Sequence, residues 1–318
     1  MTTVTTQIKL TPEHGARPIA SMRSRLQDAL PKIVLAPSFA ITIVFVYGFI
    51  LWTVYLSFTN SKTFPSYALT GPRAYQRLWR WTFESDPPSS WYTSIINMGI
   101  FGFLYIFICL ALGLFLAILL DQKIRGEGML RPIYLYPMAL SFIVTGVAWK
   151  WFLDPGLGLE QTLHQWGWTS FHFDWIKNKD FVIYTVVIAG VWQASGFIMA
   201  MFLAGLRGID GEIMKAAQID GATTFQLYRR IVIPLLRPIF LSAFIVLAHL
   251  AIKSYDLVVA LTSGGPGGSA WLPSNFMYEY TFKRNEMAVG SASAVIMLMT
   301  ITAIIVPYLY SELREKPR

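Results

Sequence analysis

Six long apolar runs decide most of what this chain can fold into. They lie at roughly Lys32–Phe58, Ile95–Leu120, Ile133–Leu153, Val182–Leu206, Pro238–Leu261 and Met287–Tyr310. The hydrocarbon core of a bilayer, about 30 Å thick, is crossed by roughly 20 apolar residues in a helix. A helix satisfies its own backbone hydrogen bonds, which lipid cannot do for it. The runs are too long and alternate too weakly to be strands of a membrane barrel. The expected fold is therefore an all-α membrane protein with six transmembrane helices. Charge agrees with this: 54% of the 318 residues are hydrophobic and 14% charged, where soluble domains carry about 25% charged residues. A chain of this length has room for a large core and a charged surface, so size does not force the shortage of charge.

The basic residues orient the spans. With six spans, the N-terminal segment, the second loop, the fourth loop and the C-terminus share one side, which carries 16 of the 26 Lys and Arg residues. The other side carries 8, and Lys150 and Lys253 fall inside runs. Lys and Arg favour the cytoplasmic side, so both termini are expected in the cytoplasm and the chain in the inner membrane of a bacterium. This topology and anionic lipid account for the net charge of +8 without nucleic acid as a partner. Residues 1–30 read as a cytoplasmic tail, because the apolar run that follows is too long for a signal peptide. The six-helix domain is expected at 31–312, with a cytoplasmic C-terminal tail at 313–318.

Bond chemistry finds no support. Cys109, the one cysteine, lies within the second run and has no partner for a disulfide. His14, His164, His172 and His249 are scattered without ligand spacing, and neither a Walker loop nor a G-x-S-x-G turn is present. The expectation is a chain that is not an enzyme, with no metal site and no cofactor of its own.

The loops differ in kind. The first, about Thr59–Ser94, holds Tyr75, Trp79, Trp81 and Trp91 with Pro87-Pro88; the third, about Asp154–Phe181, holds Trp166, Trp168 and Trp175. Trp and Tyr here are expected to anchor at the membrane interface, the alternative being a docking surface for a partner outside. The fourth loop, 207–234, is ordered in composition. Glu212 to Ile219 reads as a short helix stopped at Gly221, where a residue without Cβ permits a sharp turn. A second helix is expected from near Ala222 to just before Pro234, which cannot continue it. The pair forms a knob, or else an amphipathic segment lying on the bilayer.

That loop resembles the signature of the membrane subunits of binding-protein-dependent ABC importers: Glu-Ala-Ala, three residues, Gly, nine residues, then Ile-x-Leu-Pro. Ala216-Ala217 precede Gly221 by the required spacing, and Ile231-Val232-Ile233-Pro234 follow it. Lys215 stands at the signature Glu and Ile233 at the signature Leu. The segment Asp256–Pro266 looks like the one that marks carbohydrate importers, in particular the larger permease of a heterodimer. Leu119–Trp151 and Val191–Gly208 are similar to permeases for glucose and mannose. The resemblance implies a type I ABC importer transmembrane domain (MetI-like). It implies a homologous second permease, two cytoplasmic ATPase subunits that bind the ATP, and a periplasmic or extracellular sugar-binding protein. It also implies that Lys215, Ala216, Ala217, Asp220, Gly221, Ala222 and Pro234 belong to the ATPase-coupling loop.

Polar residues inside spans are costly and often face a cavity. Asn97, Trp149, Lys150, Trp192, Gln193, Ser195, His249, Lys253, Ser254, Tyr255 and Asp256 are of this kind. Trp192 and Gln193 suit a sugar, an aromatic plane stacking on C–H groups and an amide binding hydroxyls, and with Lys253, Tyr255 and Asp256 they form the expected substrate path. Lys253 and Asp256, three apart, are expected on one helical face as an ion pair. The competing reading is a self-contained secondary transporter or channel for a small polar solute. It calls for internal repeats and mid-span carboxylates, and it leaves the ordered fourth loop without a purpose.

Overall fold

The structure is a computed structural model and describes residues 32, 34–84, 90–122 and 127–314. Residues 1–31, Pro87-Pro88, Lys123, Arg125 and residues 315–318 lie outside the described residues, as does the side chain of Trp81. Among the described residues there is no strand, only an isolated bridge between Thr59 and Leu69. In chain order the helices are α1 (Val34–Ser57), α2 (Arg73–Glu84), α3 (Ser90–Asp121), α4 (Glu127–Ala139), α5 (Phe142–Phe152), α6 (Leu159–Gln165), α7 (Val182–Arg207) and α8 (Gly211–Ile219). They continue with α9 (Thr224–Leu235), α10 (Arg237–Ile252), α11 (Tyr255–Thr262), α12 (Pro273–Tyr278) and α13 (Met287–Arg314). Four of them (α1, α3, α7 and α13) are long and apolar enough to cross a membrane, and the number is six if each of two bent pairs is one span. The chain divides into two units, one ending at Trp52 and one running from Thr53. In the first, the apolar side chains of α1 from Val34 to Phe49 are exposed, as suits a lipid-facing helix.

In the second unit α7 is the hub. Its most apolar window is 67% buried, against 28% for α3 and 33% for α13. Small residues let its neighbours approach. A Cβ on Gly113 of α3 would lie 2.6 Å from Ile198 Cγ2, and one on Gly196 would run into the carbonyl oxygen of Tyr134 in α4. Such close backbone approach is how helices gain packing contacts where lipid supplies no hydrophobic drive. Phe101, Tyr105 and Cys109 of α3 share one buried core with Val186, Ala194 and Ile198 of α7, and the Tyr105 ring lies 3.3 Å from where a Cβ on Gly190 would be.

Two expected spans are not single helices. The run from Ile133 to Leu153 breaks between Ala139 and Phe142, with a bend of 102°. Pro132 and Pro137 weaken the first helix, and Ser141 starts the second by accepting from Val144 N at 3.2 Å. The run from Pro238 to Leu261 breaks at Lys253-Ser254, between α10 and α11. Lys253 and Asp256 therefore do not share a helical face, and no ion pair joins them among the described residues. The helix expected to stop before Pro234 runs through it. A π-turn over Tyr228–Val232 widens the register, Ile233 N bonding back to Tyr228 O, and Leu236 N reaches Val232 O at 3.0 Å. This relieves the clash that a proline makes with an α-helical ladder, and the chain then bends by 64° into α10.

A second, smaller core joins the first loop to α13. Ala74 and Leu78 of α2 and Trp91 pack with Phe276, Tyr280, Ala288, Val289 and Ala292, and Arg77 bridges to Glu286 at 2.8 Å. Trp91 is thus a core residue, edge-on to Phe276 at 5.0 Å, and not the interface anchor expected of it, whereas Trp79 is exposed.

Candidate functional site

The loop after α7 is built from local chemistry at every step. Asp210 caps α8 by accepting from Glu212 N at 2.9 Å. At the other end, Gly221 N donates to Gln218 O at 3.1 Å and Ala222 N to Ala217 O at 3.0 Å. This is the paired bonding of a Schellman stop, which needs a left-handed residue just past the helix, and Gly221 has φ +82°. A Cβ at Gly221 would meet nothing within 4 Å, so the glycine serves the turn and not the packing of this chain. Two residues on, Thr223 and Gln226 form a reciprocal capping box, Gln226 N donating to Thr223 Oγ1 at 3.3 Å and Thr223 N to Gln226 Oε1 at 2.9 Å.

The knob has two faces. Ala217 is buried in the main core, with Met214, Ala222, Tyr228 and Ile231 packed against it. Ile219 and Phe225 stand out, 86% and 71% exposed. Lys215, Ala216, Asp220 and Pro234 are also exposed. Lys215, at the signature Glu position, makes no ion pair among the described residues.

The polar residues of the spans separate on inspection. Trp192 is 39% exposed and lies on an apolar cavity of 560 Å³ with Trp149, Tyr134, Pro137, Ser195 and Leu112; its ring meets Trp149 edge-on at 5.8 Å. Gln193 points elsewhere. It is 3% exposed, and its Nε2 donates to Leu140 O, at the break between α4 and α5, at 2.8 Å. An orphan carbonyl at a buried helix end costs about 1–3 kcal/mol, so Gln193 holds the bend open. Asn97 plays a similar part, donating to Ser269 O at 2.7 Å and Trp271 O at 3.0 Å. Tyr255, half-buried, sits 4.9 Å from the Tyr278 ring, while Lys253 and Asp256 are exposed beside the α10–α11 break. None of these three lines the Trp192 cavity.

The loop before α7 brings together residues that the sequence leaves scattered. Glu160 and His164 are one turn apart on α6, Gly167 (φ +96°) reverses the chain, and His172 returns to Glu160, Nδ1 to Oε1 at 3.2 Å. Phe173 N donates to Glu160 Oε2 at 3.0 Å, and this bond, with the one from His172, holds the Glu160 carboxyl below the usual carboxylate range. A Glu-x-x-x-His pair on a loop helix was the available signal. The aromatic residues of this loop stack in sequence: Phe173 on Trp175 at 4.8 Å and Trp175 on Phe181 at 5.6 Å. Trp166 and Trp168 are exposed.

The described residues form an all-helical bundle with broken spans and a projecting two-helix knob. Residues 109–315 match the family model for the binding-protein-dependent transport system inner membrane component, and the chain belongs to that family. It is a transport component, not an enzyme, and a multi-pass protein of the inner membrane. A relative in Pyrococcus horikoshii, described as a probable ABC transporter permease protein, is 40% identical over 92% of this chain and all of its own. The xylose/arabinose import permease of Haloferax volcanii is 37% identical over 65% of this chain and 66% of its own. Among solved structures, a bacterial ABC transporter involved in import of the acidic polysaccharide alginate superposes with a TM-score of 0.78. That match covers 93% of this chain and 99% of the other at 16% identity, which shows a shared fold, that of a type I importer transmembrane domain.

Proposed function

We propose that this chain forms half of the translocation pore of an ATP-driven sugar importer and that the Gly221 knob couples it to the motor. The observation that carries this reading is the outer face of the knob. Ile219 and Phe225 are held away from the chain's own core by a fully capped turn, and apolar groups fixed in that way call for a partner. In this reading Lys215–Ala222 seats in a cytoplasmic ATPase subunit, and Pro234 with its π-turn carries the motion into α10. ATP is bound by the ATPase pair and not by this chain. A homologous second permease completes the pore, and a periplasmic or extracellular binding protein delivers the sugar. Residues 31–312 form the transport domain between two cytoplasmic tails. The concentration of 16 basic residues on one side against 8 on the other supports this orientation.

The substrate is a sugar, and a monosaccharide such as glucose or mannose is the finer proposal. The name of the Haloferax volcanii relative supports the class, and the likeness of Leu119–Trp151 and Val191–Gly208 to glucose and mannose permeases supports the member. Trp192, with Trp149 and Ser195 on the same cavity, is the aromatic surface for the sugar. Gln193 supports the path by fixing the bend beside it, and Lys253, Tyr255 and Asp256 border the path at the second break. The test is ATP-dependent uptake of labelled glucose in a strain lacking only this chain, before and after its return, with unlabelled sugars as competitors. Restored uptake that mannose suppresses supports the proposal. Restoration of no sugar's uptake, with no ATPase copurifying, contradicts it.

A further inference from the structure

We infer that Glu160, His164 and His172 form a binding site for a divalent transition metal of the zinc class on the loop between α5 and α7. One ligand atom of each residue lies within 4.8 Å of the others. The fold arrives at this arrangement by three local steps. Gly158 starts α6 against the backbone of Phe152, where a Cβ would run into the carbonyl oxygen, so the helix has a fixed origin. Positions i and i+4 put Glu160 and His164 on one face. The left-handed Gly167 and the bond from Trp168 N to Leu163 O at 3.0 Å then bring the chain back to lay His172 against Glu160.

The donor set has the chemistry of a metal site. Two imidazoles and a carboxylate suit zinc and its neighbours and do not suit magnesium or calcium, which take oxygen ligands. Three protein ligands leave a fourth position for water. The surroundings orient the ligands as metal sites require. Glu160 has only 12% of its side chain exposed and is anchored by Phe173 N at 3.0 Å. His164 Nε2 meets Phe171 O at 2.7 Å; with its proton on that nitrogen, the opposite ring nitrogen keeps a lone pair. His172 is the adjustable member, 74% exposed, and a rotation of its ring closes the site. Tetrahedral zinc needs ligand atoms about 3.4 Å apart, within reach of the present spacing. A bound ion would pin α6 to the returning segment that carries the Phe173–Trp175 stack.

The probe is Zn²⁺ alone, titrated into the full chain purified in detergent without a polyhistidine tag, with Co²⁺ as the spectroscopic reporter. One equivalent is expected to bind, and Co²⁺ to give the intense visible bands of a four-coordinate site. His172→Ala, at an exposed position that leaves folding intact, is expected to weaken binding at least tenfold and to abolish the bands. His164→Gln is expected to do the same, and His249→Ala to change neither. Absence of Zn²⁺ binding by the wild-type chain, or binding by folded His172→Ala equal to wild type, overturns the inference.

Discussion

The aromatic run that leads into α7 and the knob that follows it handle their large side chains in opposite ways. Before α7, Phe173, Trp175 and Phe181 stack on one another, and Trp175 also meets Tyr184 of α7 edge-on at 6.3 Å. Glu160 ties the same loop to its own return. After α7, the backbone is as well satisfied, by Asp210, the Gly221 stop and the Thr223 box, yet Ile219 and Phe225 are left outside. The 171–181 part of the loop before α7 closes on itself, with Trp166 and Trp168 left outside it; the loop after α7 has spent its polar bonding on holding an apolar surface open. A surface that costs hydrophobic burial and is nonetheless held rigid is what a docking element requires, and the capped turn supplies the rigidity in advance of binding.

The comparison breaks most sharply at Gly221. Gly221→Val forces a β-branched residue into a left-handed conformation, at a cost of about 1–3 kcal/mol, and the turn is expected to reshape. ATP-driven uptake should fall more than tenfold at an unchanged level of protein in the membrane. Gly221→Asn, which tolerates that conformation, should keep most of the uptake. Equal loss in both variants would point to space at the docking surface and not to the turn. Next in size, Phe225→Ala and Ile219→Ala should weaken association with the ATPase subunit while changing the stability of this chain by no more than about 0.5 kcal/mol, as for most exposed substitutions. Pull-down and thermal unfolding together separate those effects. Trp175→Ala should do the reverse. Losing its ring contacts should cost the loop about 2 kcal/mol, seen as faster amide exchange over 159–181, with ATPase association unchanged. The smallest effect concerns pH. The Glu160 carboxyl is held below its usual range, so its bonds to Phe173 and His172 contribute fully above the ordinary carboxylate range. That contribution is lost as pH falls through the depressed folded-state value. Acidification should lower the protection factor of the Phe173 amide, its exchange relative to the intrinsic rate at each pH, in the wild type and leave that of Glu160→Gln flat.

Much of this was legible in the residues. Hydropathy alone locates α1, α3, α7 and α13, because length and apolarity are what a bilayer selects. It does not see bends, so the runs containing Leu140-Ser141 and Lys253-Ser254 read as straight helices. Those two errors carry through to the site. Gln193 reads as a pore residue because a polar side chain in a span needs a reason, and the reason here is a carbonyl freed by a break that composition does not place. Lys253 and Asp256 read as an ion pair only on a helix that does not exist. Gly221 was visible because its requirement is local, a left-handed residue at a fixed distance from a helix end. The Glu160–His172 contact was not, because it depends on the Gly167 reversal between them.

The claim that the Gly221 knob meets the ATPase can be tested by cross-linking from a single thiol. Cys109 is the chain's one cysteine and is buried, so Ile219→Cys gives one reactive site on the knob and Trp166→Cys one on the loop before α7. In membrane vesicles that support ATP-driven uptake, a short thiol-directed cross-linker is predicted to join Ile219→Cys to the ATPase subunit and to leave Trp166→Cys unjoined. No cross-link from Ile219→Cys in active vesicles, or an equal one from Trp166→Cys, would contradict the account.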